Sequence, residues 1–192
     1  MRPRNIIILL IFLVALGGLY YFTHIPEPPK PQAPRYYAWD LSMDSIQHIR
    51  ISLPREGKSE SFIKVSTPDI FPWYFDDANH SAVDAKRWGG GITLLLSGPG
   101  VDRIISKSTP PEKMKEFGLT NPQMVIDMVL TGDNNTMSIQ VGNKTPDGAS
   151  YYVLAPNTNN DVALVDSSWH DVLANLVNDP PYASANTTPA KP

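Results

Sequence analysis

The feature that most constrains this chain is an uninterrupted apolar run near its N-terminus. Residues 6–22 read IIILLIFLVALGGLYYF, and no charged residue occurs between Arg4 and Glu27. A helix of about 20 residues rises roughly 30 Å, which matches the hydrocarbon layer of a bilayer. Because the run has no polar face to present to water, the buried helix of a soluble protein fits it poorly. We therefore predict a transmembrane helix over residues 5–25 that contacts the lipid bilayer.

Charges on either side of the run predict its orientation. Arg2 and Arg4 precede it closely, and positive residues favour the cytoplasmic side. Lys30 and Arg35 follow at a greater distance and oppose this bias. We expect residues 1–4 in the cytoplasm and the rest of the chain beyond the helix outside it. This predicts a single-pass protein of the cell (inner) membrane with an extracytoplasmic or periplasmic C-terminal domain.

A cleaved signal peptide is the competing interpretation of the same run. Signal peptidase requires small residues after a shorter apolar core. Here the core runs into the bulky residues Leu19-Tyr20-Tyr21-Phe22. A retained anchor is therefore the favoured interpretation.

Proline-rich segments flank the rest of the sequence. Residues 26–34 read PEPPKPQAP, with five prolines that favour an extended spacer. We expect a stalk over residues 26–35 and a disordered tail over the polar, proline-rich residues 179–192. Residues 36–178 remain for folding, which is the size of one domain. The absence of cysteine excludes a disulfide scaffold and a thiolate metal site.

The charge balance of this domain excludes one class of partner. The formal net charge of the chain is −3, but the flanking segments carry several of its cations. They are Arg2, Arg4, Lys30, Arg35 and Lys191. Residues 36–182 contain 11 Lys and Arg against 18 Asp and Glu, a net charge of −7. Nucleic-acid backbones and anionic lipid headgroups are bound mainly by basic residues. We therefore expect no nucleic-acid partner.

Short alternating apolar runs in the domain indicate β-strands. Ile49, Ile51 and Leu53, for example, share one face of a strand. Strands are predicted at residues 48–53, 60–66, 70–75, 101–106, 124–130, 137–141, 151–155 and 162–165, and helices at residues 82–96, 110–117 and 168–177. Ser168 and Asp171 form a capping box for the last helix. The predicted fold class is α+β: one N-terminal transmembrane helix and a β-rich domain of antiparallel strands with a few helices, arranged as two degenerate strand-strand-strand-helix repeats.

Several segments of the second half resemble a known family. They are Glu116-Phe117-Gly118-Leu119-Thr120-Asn121-Pro122, Val141-Gly142-Asn143-Lys144-Thr145-Pro146, Ser150-Tyr151-Tyr152-Val153 and Val162-Ala163-Leu164-Val165-Asp166-Ser167. This order resembles the bacterial membrane-anchored family of domain of unknown function 4340, with its pattern yGL..P, iG..tp.g..yYv and vylvd. The N-terminal helix, Trp73 and Val83-Asp84-Ala85 match it more loosely. The resemblance implies an accessory role, in some cases beside ABC-type transporter components, and it implies no catalytic residue.

Three clusters of reactive residues favour structural interpretations over chemical ones. Residues 76–80 (DDANH) offer too few oxygen ligands for a hard cation, so a solvated loop is favoured. Residues 166–171 contain serine, histidine and aspartate, but adjacency in one segment does not give the geometry of a hydrolase triad, and a helix cap is simpler. The glycines of residues 89–91 and 97–100 lack the spacing of a phosphate loop. We therefore predict no enzyme activity, no catalytic residue, no metal site and no cofactor, with Ser167 or Ser168 as the best nucleophile if this is wrong.

Two aromatic groups remain as candidate partner contacts. They comprise Tyr36, Tyr37, Trp39, Trp73 and Tyr74. Core packing is the favoured interpretation, since strand alternation buries half of such residues. Exposed aromatics beside a stalk are also typical of a protein or glycan contact.

The sequence thus predicts a non-enzymatic accessory or scaffold subunit of a larger membrane complex, with other membrane-complex subunits as its protein partners. The anchor, the stalk and the lack of catalytic chemistry all support this hypothesis. The alternative is an envelope-facing glycan- or peptide-binding module, which the aromatic groups suggest.

Overall fold

The protein is described by a computed structural model that covers residues 3–23, 36–66, 71–89, 91–132, 136–156 and 158–183. The chain divides into two compact units, Met1–Pro34 and Arg35–Pro192. The expected stalk over residues 26–35 and the tail beyond residue 183 lie outside the described residues.

The first unit contains one helix, α1 (Pro3–Thr23). The large apolar side chains that are described in it are solvent-exposed, with exposed fractions of 53% to 67%. Among the described residues, no helix is both long and apolar enough to cross a membrane. The transmembrane helix predicted over residues 5–25 is thus not shown, and its last two residues lie outside the described part of the chain.

The second unit is an α+β domain with one antiparallel sheet, which confirms the predicted fold class at this level. Its strands are β1 (Tyr36–Tyr37), β2 (Ile46–Leu53), β3 (Lys58–Lys64), β4 (Trp73–Phe75), β5 (Gly100–Ser106), β6 (Met124–Leu130), β7 (Thr136–Lys144), β8 (Ser150–Leu154) and β9 (Val162–Asp166). Its helices are α2 (Ala85–Trp88), α3 (Ile92–Ser97), α4 (Pro111–Glu116) and α5 (Ser167–Asn178), and a 3-10 turn (Met43–Ser45) precedes β2.

The nine strands lie in the order β1-β5-β9-β8-β7-β6-β2-β3-β4. From the central pair, β2 and β6, each half of the chain proceeds outward: β3 and β4 on one side, and β7, β8 and β9 on the other. After α2 and α3 in the first half, and after α5 in the second, the chain then crosses to the edge formed by the other half. β5 pairs with β9, and Tyr182 bridges to Val83, just beyond β4.

Strand alternation places the core on one face of this sheet. Ile49 lies between Phe62 and Met128 on the neighbouring strands, and all three are fully buried. Helix α5 packs across β2, β3, β8 and β9 on the core side through Leu173 and Trp169. Each such large side chain contributes about 1.5–3 kcal/mol when fully buried, so the core face holds the helices on the sheet.

The helix predicted over residues 82–96 is wrong as a continuous element. Two short helices, α2 and α3, occur in its place, and Ala82 and Val83 make strand bridges. Asp84 caps α2 by accepting the N–H groups of Lys86 and Arg87. Gly89 then has a φ of 62°, which a continuing helix cannot use. The break lets Trp88 turn into the core, where its ring lies 4.8 Å from that of Phe62.

The predicted end of the domain at residue 178 is also too early. Asp179 accepts a hydrogen bond from Arg87 at 2.6 Å, and Asp84 N–H donates to the Pro181 carbonyl at 2.8 Å. The ring of Tyr182 stacks on Phe75 at 4.0 Å. Proline content misled the prediction, because these residues gain their order from side chains distant in the sequence.

Helix α5 begins one residue earlier than predicted, and its cap is a different residue. The side chain of Asp166 accepts the Ser168 N–H at 2.8 Å, so Asp166 and not Ser168 is the N-cap. Asp171 instead contacts His170 Nδ1 at 3.1 Å. The hydrogen bonds from Ser168 hold the pKa of Asp166 below its ordinary value of 3.8.

Candidate functional site

Two of the segments that carry the family resemblance meet in a tight junction between the turn after α4 and strand β7. Gly118 has a φ of 72°, which favours glycine. A Cβ atom on Gly118 would overlap the Asn143 side chain, and one on Gly142 would overlap the Phe117 carbonyl oxygen. The Asn143 N–H donates to that same carbonyl at 2.7 Å. Neither position therefore has room for a side chain, and the two glycines let these segments pack closely.

Arg55, in the turn between β2 and β3, ties this junction to the first half of the domain. Its Nε and Nη2 donate to the Asn121 carbonyl at 3.0 and 2.6 Å. Nη2 also donates to Asn143 Oδ1 at 2.9 Å. Because all of these contacts are within the chain, Arg55 has a structural role in positioning the junction.

Beside the junction lies a pocket of about 390 Å³. This volume falls within the range of small-ligand pockets. The rings of Phe117 and Tyr152 stack in it at a centroid distance of 4.6 Å. Its lining residues come from β5, the turn after α4, the β7–β8 turn, β8 and β9: Arg103, Ile105, Phe117, Thr145, Pro146, Asp147, Ser150, Tyr152 and Leu164.

The turn between β7 and β8 forms a rigid, charged side of this pocket. The Thr145 hydroxyl donates to Asp147 Oδ1 at 2.6 Å, and the Ala149 N–H donates to the same oxygen at 3.1 Å. These hydrogen bonds, the one from Thr145 first, hold the pKa of Asp147 below its ordinary value, and the charge of Arg103 adds to the effect. Asp147 is therefore ionised at neutral pH and fixed in position.

Arg103 supplies the cation of the pocket. Its side chain is exposed, and within the described part of the chain its guanidinium makes no hydrogen bond or ion pair. By contrast, Arg55 and Arg87 use their donors on neighbouring carbonyls and carboxylates. The pocket thus combines a guanidinium with unused donors, an ionised carboxylate and an aromatic wall.

A second candidate surface is the face of the central strands opposite the core, which we call the open face. It consists of His48, Arg50, Ser52, Val125, Asp127, Val129, Ser138 and Gln140, all half-buried or exposed. Arg50 and Asp127 lie opposite each other in the β2–β6 pairing. His48 contacts Asp76 through Nε2 and Oδ2 at 2.9 Å. The surface mixes both charges with two valines.

Two of the five aromatic candidates from the sequence lie in the core. Trp39 is 8% exposed and Trp73 is 5% exposed, so neither offers much surface to a partner. Tyr37 is 55% exposed, and Tyr74 is half-buried. The backbone of Tyr36 pairs with Val101, but its side chain lies outside the described atoms. Partner contact stays a prediction, with Tyr37 and Tyr74 as the members that have surface.

The two polar clusters singled out in the sequence act as turn and helix caps. Asp77 accepts the N–H groups of Asn79 and Ser81, and hydrogen bonding by Ser81 lowers its pKa. In the described residues, no group of three His, Cys, Asp or Glu side chains is arranged to hold a metal ion. His170 is buried and stacks on Tyr151 at 4.0 Å.

Sequence reasoning did not identify the Arg103 pocket as a site. Four of its segments belong to the recognised family pattern, which was a usable signal for Phe117, Thr145, Tyr152 and Leu164. Arg103 had no such signal. Its place in the pocket depends on the pairing of β5 with β9, and the two strands are far apart in the sequence.

Comparison with known proteins finds a family match in the second half of the chain. Residues 93–179 match the family model described as a domain of unknown function (DUF4340), which confirms the resemblance over this part of the chain. Every residue that lines the Arg103 pocket falls within the matched range. No curated protein and no solved structure matches the chain.

Proposed function

We propose that this chain is a non-enzymatic accessory or scaffold subunit of a larger membrane complex. Residues 5–25 anchor it in the bilayer, and the domain of residues 36–183 binds other subunits outside the cytoplasm. The family resemblance suggests an ABC-type transporter as the kind of complex. The observation that carries the proposal is the presence, in one chain, of an apolar helix without a polar face and a folded domain with an unused open face.

The character of α1 supports the anchor. Its described large apolar side chains, including Phe12, Leu13 and Tyr21, are more than half exposed. Exposed apolar area costs about 25 cal/mol per Å² in water. An environment of lipid or protein therefore stabilises this helix, and the absence of charge from Asn5 to Thr23 is compatible with lipid.

The open face supports a protein partner. Protein interfaces that form between folded subunits combine apolar residues with polar and charged ones. The open face has this composition, with Val125 and Val129 beside Arg50, Asp127 and Gln140. Its net charge is small, unlike that of the whole domain, so it does not repel an acidic or a basic partner strongly.

Purification of the tagged full-length chain in a mild detergent tests the proposal. Mass spectrometry should find membrane proteins in stoichiometric amounts with it. Val129→Glu on the open face should lower their recovery at least tenfold. Val172→Glu is the matched control, because Val172 is 43% exposed on α5, away from that face, and should change nothing. Repeated isolation of the wild-type chain alone would overturn the proposal.

We also infer that the domain arose by duplication, as the repeats predicted from the sequence require. The outward strand order from β2 and β6 supports this inference, as does the crossing segment that follows in each half: strand β5 in the first and the bridge at Tyr182 in the second. If it is right, ancestral sequences reconstructed separately for residues 46–106 and 124–183 should become more alike with depth. Two reconstructions that stay unrelated at every depth would contradict it.

A further inference from the structure

We propose that the Arg103 pocket binds a carboxylate-bearing peptide segment of a partner subunit, with an apolar or aromatic side chain next to the carboxylate. This proposal rests on the proposed function, because the peptide belongs to a protein partner. It specifies the chemistry of one contact with that partner, whereas the composition of the open face does not.

Arg103 selects for the carboxylate. A guanidinium presents a planar fork of donors that matches a carboxylate in a bidentate geometry. Arg103 has these donors available, since it makes no hydrogen bond or ion pair to the described residues. Asp147 does not compete for them through Oδ1, because that oxygen already accepts from Thr145 and Ala149. As far as the described residues show, the guanidinium therefore has donors left for a ligand, although its charge also acts on Asp147.

The aromatic wall selects for the apolar neighbour. Phe117 and Tyr152 stack on each other and are half-buried, and Ile105 and Leu164 lie beside them. A ligand that covers the apolar area of these four side chains removes it from water, which favours binding. A volume of about 390 Å³ accommodates a few small groups and not a folded element.

The charge of the domain argues for a single carboxylate on a peptide, and against a polyanion. With a net charge of −7 over residues 36–182, the domain repels nucleic acid and anionic lipid surfaces. Ionised Asp147 in the pocket adds to that repulsion. A single carboxylate beside Arg103 is repelled less strongly than a polyanion. A peptide N–H group of the same ligand can donate to Asp147.

The test uses the full-length chain in detergent micelles and three capped tetrapeptides. They are acetyl-Gly-Asp-Phe-Gly-amide, its Asn-Phe analogue and its Asp-Ala analogue. Binding is followed by the NMR shifts of ¹³C-labelled methyl groups of Ile105 and Leu164. We expect saturable shifts with the Asp-Phe peptide and at least tenfold weaker binding of each analogue, a loss of about 1.4 kcal/mol or more.

Two variants locate the effect. Arg103→Gln should remove the preference for Asp-Phe over Asn-Phe. Lys86→Gln should preserve it, because Lys86 is an exposed cation on α2 and does not line the pocket. Circular dichroism verifies that both variants fold.

Three outcomes would overturn the proposal: no shift with any peptide, equal binding of Asp-Phe and Asn-Phe, or an unchanged preference in Arg103→Gln. None of them bears on the proposed function. Recovery of membrane partners by the wild-type chain decides that separately, so the two failures are distinguishable.

Discussion

At the scale of single residues, Gly142 shows that a glycine can be required by space and not by backbone angle. It lies in β7 with an ordinary φ, but a Cβ there would overlap the Phe117 carbonyl oxygen. That carbonyl accepts the Asn143 N–H and cannot move away freely. The family motif at this point is therefore a packing requirement.

We expect Gly142→Ala to lower the free energy of unfolding by about 1–3 kcal/mol, the usual cost of overpacking. Urea unfolding measures it. Gly100→Ala is the matched control, since Gly100 also lies in a strand and a Cβ there would meet nothing within 4 Å. It should stay within about 0.5 kcal/mol of wild type. Equal effects of the two changes would contradict this account.

Asp166 gives a pH-dependent prediction at the same scale. Hydrogen bonds from Ser168 lower its folded-state pKa from the ordinary value of 3.8. The ionised carboxylate therefore stabilises the fold fully above the unfolded-state pKa, and this stabilisation is lost as pH falls through the folded-state pKa. Asp166→Ala should lower the Tm at pH 7, and the difference from wild type should shrink below about pH 4.

Thermal unfolding monitored by circular dichroism from pH 7 to pH 3 measures this difference. Asp166→Asn keeps a capping oxygen but does not titrate in this range, so its Tm difference from Asp166→Ala should stay level across the series. A wild-type advantage over Asp166→Ala that persists unchanged into acid would show that the charge of the cap is irrelevant.

At the scale of elements, two tryptophans cap the C-terminal end of α3. The last carbonyls of a helix have no partner within the helix. Trp39 Nε1 donates to the Leu96 carbonyl at 2.8 Å, and Trp169 Nε1 donates to the Leu95 carbonyl at 2.9 Å. Since the two rings also touch edge to face at 6.1 Å, they connect the N-terminal part of the domain, α3 and α5.

We expect Trp169→Phe to destabilise the domain more than Trp73→Phe does, by about 1–3 kcal/mol, as measured by urea unfolding. Both changes remove the same atoms from a 5% exposed tryptophan. Among the described residues, only the first change leaves a partly buried carbonyl without its donor, and that loss has this cost. Equal destabilisation would mean that the hydrogen bond adds nothing beyond ring packing.

At the scale of the whole molecule, the orientation of the chain decides where its partners lie. Arg2 and Arg4 favour a cytoplasmic N-terminus. Protease added to intact spheroplasts should therefore remove residues 36–183 and spare cytoplasmic markers. A domain that is protected until the membrane is lysed would show the opposite orientation. The same digestion on a variant with Arg2 and Arg4 replaced by Glu should give mixed protection, since Lys30 and Arg35 would then dominate.

The sequence by itself determined the local features of this protein. Alternation of apolar residues located most of the strands, and turn residues located the β7–β8 turn and the end of α4, because these signals depend on neighbours within a few positions. The family pattern was also a local signal: its motifs lie within residues 116–167, and the family model matches residues 93–179.

Only the tertiary structure decided which distant segments meet. The split into α2 and α3 places Trp88 on Phe62, and residues 179–183 are held by Asp84, Arg87 and Phe75. Arg103 reaches the pocket because β5 crosses to pair with β9. Contacts of this kind gain their free energy from burial between residues far apart in the chain, which no local pattern records.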